Sequence, residues 1–154
     1  MTPTMVPLDE ARHGDACARL MCESEPWRTL GRTVEQSRAA LQAPGQEAWV
    51  ALDDTGTPVG LLLLVLQGAL VGYVRAIVVH EAWRGRGLGA ALMAFAEART
   101  RPVSAHLFLM VSSFNVAAQR FYARLGYRQV GELPGFTGAG HSELLLWKRL
   151  PDHA

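Results

Sequence analysis

Arginine and glycine are concentrated in Arg84-Gly85-Arg86-Gly87-Leu88-Gly89-Ala90, which follows a β-branched run across His80-Glu81-Ala82-Trp83 and opens an apolar stretch of helical composition. Those residue types in that order suit an anion. Glycine lets the backbone approach closely and adopt positive φ. The first amides of a helix have no internal partner and sit at the positive end of the macrodipole, so such a turn is a ready cradle for phosphate. Arg84 and Arg86 can add charge-assisted hydrogen bonds. A Walker loop is excluded, because Leu88-Gly89 stands where Lys-Ser/Thr is required. A G-x-G-x-x-A dinucleotide fingerprint is literally present as Gly85, Gly87 and Ala90. The acid that should follow for the ribose is missing, since His106, Leu107, Phe108, Leu109 and Met110 occupy that region.

The elements that must carry this loop alternate in type. Met5 to Leu8 is a short first strand, and Asp9 to Glu23 reads as a helix with Ala11, Ala16, Leu20 and Met21 turned inward. Glu25-Pro26-Trp27 ends it. Thr33 to Leu41 is a second helix, in which Thr33 and Gln36 have the spacing of a capping box. Three strands follow, Ala48 to Leu52, Val59 to Leu66 and Leu70 to Val79, separated by turn residues that predict an antiparallel meander. Leu88 to Thr100 is a helix, Ser104 to Val111 an apolar strand, and Asn115 to Leu125 a helix ended by Gly126. Tyr127 to Gly131 opens a strand, and a Gly-rich loop, Pro134 to Gly140, leads to the last strand, Glu143 to Leu150. Strands joined both by hairpins and by helices imply an α/β chain with a mixed sheet flanked by helices.

Arg84-x-x-Gly87-x-Gly89 resembles the Q/R-x-x-G-x-G/A signature of the GNAT superfamily. The likeness continues through Asn115-Val116-Ala117-Ala118-Gln119-Arg120-Phe121-Tyr122-Ala123-Arg124-Leu125-Gly126-Tyr127, where an Asn opens a helix and an aromatic pair and a Gly-aromatic close follow. Two motifs in order, one helix and one strand apart, are more specific than either alone. The resemblance runs roughly from Met5 to Leu150 and implies a single N-acetyltransferase domain over residues 1–154. Its fold would be a mixed, mostly antiparallel sheet of six to seven strands with about four helices. It further implies acetyl-CoA as co-substrate. The strand through Ile77, Val78 and Val79 would splay from the strand Leu107 to Val111. Amides of Arg84, Gly85, Arg86, Gly87, Leu88, Gly89 and Ala90 would hold the pyrophosphate, and Asn115 would contact the pantetheine arm. Tyr122 would protonate the departing thiolate as general acid. Asn115 is equally a good helix N-cap, and Tyr122 can be read as a core residue with a satisfied hydroxyl.

The base is the gap in this pattern. A lysine-like amine has a pKa of about 10.4, so producing the neutral nucleophile at pH 7 costs about 4 to 5 kcal/mol unless the site helps. The positions where many GNAT proteins carry an acid hold Arg75 and Ala76. Met110 stands where members that acetylate protein N-termini often place Glu. The remaining candidates are Glu25, His80, Glu81 and His141, with Glu25 favoured as the catalytic group because its loop lines the acceptor site in relatives. The acceptor is expected to be a small-molecule primary amine. The alternatives are a protein or peptide N-terminus as acceptor, or an acyl-CoA-binding sensor without turnover.

Composition sets the remaining bounds. A formal net charge of +1 over 154 residues gives no global attraction to nucleic acid or to an anionic membrane. Cys17 and Cys22, five apart in a helix, fit neither a disulfide nor a metal site, and no metal is expected. Met1 to Pro7 lacks a basic start and an apolar run, so no leader is expected and the cytoplasm is the expected compartment. Val59 to Leu66 is too short to span a bilayer. Leu144 to Trp147 is apolar on both faces, which suits the domain interior or a homodimer interface.

Overall fold

The computed structural model describes residues 2–138 and 140–151. Met1, residues 152–154 and Ala139 of the expected Gly-rich loop lie outside the described residues. The order is β1 (Thr4–Pro7), α1 (Glu10–Cys22), α2 (Val34–Leu41), β2 (Glu47–Leu52), β3 (Pro58–Val65) and β4 (Tyr73–Val79). A 3-10 turn over Glu81–Trp83 follows. Then come α3 (Leu88–Thr100), β5 (His106–Ser112), α4 (Val116–Arg124), β6 (Arg128–Pro134) and β7 (Ser142–Arg149). The seven strands form one sheet in the order β1-β2-β3-β4-β5-β7-β6. Every pairing is antiparallel except β4 with β5. The expected mixed, mostly antiparallel sheet with four helices is therefore present. No helix among the described residues is long and apolar enough to cross a membrane.

Two cores sandwich the sheet. Cys17, Ala18, Leu20, Met21 and Leu41 of α1 and α2 pack on Leu61, Leu63, Ala76 and Val78. Leu88, Leu92, Met93 and Ala96 of α3, with Tyr122 of α4, pack on Leu62, Leu64, Val74, Leu107, Leu109, Leu144 and Leu146. The run Leu61 to Leu64 has no polar alternation because both faces of β3 are covered, and all four side chains are fully buried. Each such leucine contributes roughly 1.5–3 kcal/mol.

Local chemistry explains the boundaries. Thr33 and Gln36 form the expected capping box. Asp9 caps α1 by accepting from the amides of Ala11 and Arg12. The inward face of α1 differs from expectation. Leu20 and Met21 are buried, but Ala11 and Ala16 are exposed and His13, Gly14, Cys17 and Ala18 take the inner positions. His13 turns in because its Nδ1 accepts from the Asp9 amide at 3.1 Å. Gly14 leaves room for the Glu10–Arg38 ion pair that ties α1 to α2, since a Cβ would stand 2.7 Å from Glu10 Oε1 and 3.3 Å from Arg38 Nη1. On β7, Leu144 and Leu146 are buried beneath α4, whereas Leu145 and Trp147 on the other face are half-buried.

β4 begins at Tyr73 rather than Leu70, because Gly68 and Gly72 both have positive φ and close a loop. Gly72 is the tightest point. Its carbonyl accepts from the Phe108 amide at 2.8 Å. A Cβ there would lie 2.2 Å from the His106 carbonyl oxygen and 2.7 Å from Thr100 Cγ2. Gly72→Ala should therefore lower stability by about 2–4 kcal/mol, combining roughly 1–2 kcal/mol for the left-handed conformation with the cost of overpacking. Gly56→Ala, also at positive φ but with no neighbour within 4 Å, should lose only the conformational part. Urea unfolding of the two variants measures the difference.

Candidate active site

The parallel pairing of β4 with β5 covers two positions, Tyr73 opposite Phe108 and Val74 opposite Leu109. The register of β4 against β3 shifts between Leu63 and Leu64, where Arg75 is the extra residue. A bulge bends a strand and raises its twist, and beyond this one the two strands separate. The facing edges, Arg75–Val79 and Met110–Ser112, then have no ladder partner in each other. A cleft of about 170 Å3 occupies the opening. It reaches Glu25, Pro26 and Trp27 of the α1–α2 loop on one side of the sheet, and Asn115, Ala118 and Tyr122 of α4 on the other.

The glycine–arginine loop lies at the end of β4. Gly85 and Gly87 have φ of 73° and 84°, and a Cβ on either would meet nothing within 4 Å. Their requirement is conformational. Gly87 N-caps α3 without any side-chain cap, and the first helical hydrogen bond runs from the Ala91 amide to the Gly87 carbonyl. The preceding amides of Leu88, Gly89 and Ala90 thus lack intrahelical partners. Gly89 serves packing as well, since a Cβ would stand 3.1 Å from Phe121 Cζ of α4. Both arginines are exposed. Arg84 Nε donates to the Val79 carbonyl at 3.3 Å, and the Arg86 guanidinium lies 5.0 Å over the Trp83 ring.

On α4, Asn115 Oδ1 accepts from the Ala118 amide at 3.3 Å. The cap reading is thus realised, and the residue also lines the cleft. Tyr122 is buried, set edge-to-face against Phe121 and Tyr127. Burial pushes its phenol pKa up, which keeps the hydroxyl protonated at neutral pH. Behind it, Tyr127 donates to Glu97 Oε1 at 3.1 Å, and Lys148 Nζ meets the same oxygen at 2.6 Å.

The acid and base candidates separate. Glu25 lines the cleft, and its carboxylate accepts from the Thr29 hydroxyl at 2.7 Å, the Thr29 amide at 2.9 Å and Arg28 Nη2 at 3.3 Å. These bonds, the Thr29 hydroxyl first, hold it below the ordinary carboxylate range. His80 and Glu81 belong to the 3-10 turn, where His80 Nδ1 caps by accepting from the Ala82 amide. They do not line the cleft. His141 stacks edge-on against Phe114 at 4.8 Å and also stands outside the lining. The lining contains a carboxylate that the sequence did not flag. Glu143, at the start of β7, is 7% exposed. Its Oε1 accepts from the Ser112 hydroxyl at 3.0 Å, and its Oε2 is buried without a partner among the described residues. Its position opposite Ser112 comes from strand pairing, so the only sequence signal was an acid heading an otherwise apolar strand.

Comparisons with known proteins agree with this architecture. A model of the Acetyltransferase (GNAT) family matches residues 15–127. Blasticidin-S acetyltransferase of Streptomyces morookaense is 36% identical over 88 residues, covering 53% of this chain and 65% of that protein. Nourseothricin acetyltransferase superposes with a TM-score of 0.64 at 29% identity, covering 70% of this chain and 67% of that one. An aminoglycoside 6'-N-acetyltransferase complexed with coenzyme A superposes with a TM-score of 0.76 over 97% of this chain and 98% of the other, at 18% identity. With the family's model spanning most of the chain, this protein belongs to the Acetyltransferase (GNAT) family.

Proposed function

We propose that the protein is an N-acetyltransferase that moves the acetyl group of acetyl-CoA to a primary amine on a small molecule. The observation that carries this reading is the opening between β4 and β5, which joins the two faces of the sheet at Tyr122 and lies at the end of the strand that feeds the capless α3. Acetyl-CoA enters from the α3–α4 side. Its pyrophosphate takes the free amides from Gly85 to Ala90, with Arg84 and Arg86 swinging from their present contacts to add charge. The unpaired edge of Ile77, Val78 and Val79 offers backbone groups to the pantetheine arm, and Asn115 adds a side-chain amide. The acceptor enters from the α1–α2 side, past Trp27 and Glu25. Glu25, held ionised, attracts the ammonium.

The attacking nitrogen forms a bond to the acetyl carbon, and the tetrahedral species then collapses with cleavage of the carbon–sulfur bond. Tyr122 gives its proton to the thiolate as it leaves and regains one from the acylated nitrogen. Small acceptors are favoured by the similarity to acetyltransferases of blasticidin S and nourseothricin, and by the modest size of the cleft.

Acid-quenched assays of thiol release, run over small amines, aminoglycosides, nucleoside antibiotics and N-terminal peptides, test the reading. The expected result is acetyl-CoA-dependent release with a small amine. Release with peptides alone would move the acceptor to proteins, and absence of release would remove catalysis. Tyr122→Phe should lower kcat by about 10²–10⁴-fold while acetyl-CoA affinity by calorimetry stays within a few-fold. Unchanged kcat would remove Tyr122 from the mechanism. Arg84→Ala and Arg86→Ala should each weaken acetyl-CoA binding by about 3–10-fold, less at high salt, as exposed charge-assisted contacts do.

A further inference from the structure

We infer that Glu143 is the general base of this site, receiving the ammonium proton of the acceptor on Oε2. The inference rests on the acetyl-transfer reading above. Buried polar atoms are almost always hydrogen-bonded, and one that is not calls for an explanation. Glu143 Oε2 is such an atom, and it belongs to a residue that lines the cleft together with Tyr122. The other oxygen, Oε1, is fixed by the Ser112 hydroxyl. One oxygen therefore orients the carboxylate and the other is left for a ligand. A cation bearing N–H donors is the natural partner, and an alkylammonium arriving from the α1–α2 side supplies both.

The surroundings suit a base better than a permanent ion pair. Ser112 of β5 and His141, just before β7, favour the ionised form, but burial outweighs them and raises the pKa above the ordinary carboxylate range. Across the opening, β4 contributes Tyr73, whose own pKa is raised by burial and then by the Glu143 charge, and Arg75, whose guanidinium donates to Gln46 Oε1 at 3.2 Å. The loop contributes Glu25, a like charge, and α4 contributes the uncharged Tyr122. No arginine or lysine bonds to Glu143 among the described residues. A carboxylate with a raised pKa accepts an ammonium proton more readily than Glu25, whose pKa is depressed.

The proton balance closes. Glu143 takes one proton from the ammonium, leaving a neutral amine and a carboxylic acid. The amine lone pair forms the nitrogen–carbon bond. As the carbon–sulfur bond breaks, the second nitrogen proton replaces the one that Tyr122 has delivered to sulfur. The products are the amide and the CoA thiol, and Glu143 returns its proton to solvent after they leave.

Glu143→Gln keeps the shape and the acceptor for Ser112. At pH 7, kcat with a lysine-like amine should fall about 100-fold, with the KM for acetyl-CoA within a few-fold of wild type. The wild-type rise of kcat/KM with pH, centred above the ordinary carboxylate range, should disappear. With an α-amine acceptor of pKa about 8, deprotonation is easier and the gap should narrow. Stability provides a second readout with a definite sign. A buried carboxyl whose pKa is raised by folding favours the fold while protonated. That advantage is lost as pH rises through the folded pKa. Glu143→Gln should therefore melt at or above the wild-type temperature at pH 8, with the difference shrinking below pH 4. A variant that keeps wild-type kcat and an unchanged pH profile would overturn the base role while leaving acetyl transfer standing. So would loss of activity accompanied by a lower melting temperature at pH 8, which marks a structural carboxylate. Absence of wild-type turnover over the whole amine panel would overturn both readings together.

Discussion

The site depends on a single departure from regular sheet geometry. Arg75 is one residue too many in β4, and after it the parallel ladder to β5 stops. Ending a ladder in the middle of a sheet is costly, because backbone groups there need partners. The arrangement holds because each diverging strand keeps its other neighbour. β4 stays registered with β3 as far as Val79, and β5 with β7 through Ser112 opposite Glu143. The divergence therefore exposes polar backbone without loosening either strand. It also opens a cleft lined by Glu25, Pro26 and Trp27 on one side of the sheet and by Asn115, Ala118 and Tyr122 on the other.

The helices on the far side turn this opening into a defined cavity. Gly89 allows α3 to approach Phe121 of α4 closely, since a Cβ there would stand 3.1 Å from Phe121 Cζ. Tyr122 follows Phe121 and is held between it and Tyr127. Tyr127 in turn is anchored to Glu97 of α3 and, through that carboxylate, to Lys148 of β7. A phenol with two rotatable bonds is thereby restricted by rings and a buried charge cluster rather than by a hydrogen bond to its own hydroxyl. Packing leaves the hydroxyl uncommitted, which the proposed role of proton donor requires.

How much of this was legible in the sequence depends on whether the signal was local. The helix Leu88–Thr100 was readable to the residue, because a glycine at positive φ starts it and a long apolar run sustains it. The Thr33–Gln36 capping box was readable for the same reason. The inward face of α1 was not, because the burial of His13 and Gly14 depends on a bond to the Asp9 amide and on the Glu10–Arg38 pair, which belongs partly to another helix. The motif positions around the loop and on α4 were legible through the family pattern. Glu143 was not, since no motif holds it. Only the antiparallel register of β5 with β7 brings it to Ser112 and the cleft. His80 and Glu81 drew attention by lying near the loop in sequence, yet the 3-10 turn employs them locally.

The two carboxylates of the cleft illustrate why residue type alone could not assign roles. Glu25 and Glu143 are chemically identical, but one is surrounded by donors and the other is desolvated with an oxygen to spare. Donors stabilise the ionised form, so Glu25 persists as a fixed negative charge across the physiological range. Desolvation destabilises it, so Glu143 gains most from a proton or from a cation that carries one. In the proposed mechanism the first charge attracts the entering ammonium group and the second accepts its proton. Environments that push two like groups apart in pKa are how a site obtains distinct functions from one functional group. Here the separation follows from placement, with Glu25 in a solvated loop that folds around it and Glu143 on a strand at the edge of the opening made by the Arg75 bulge.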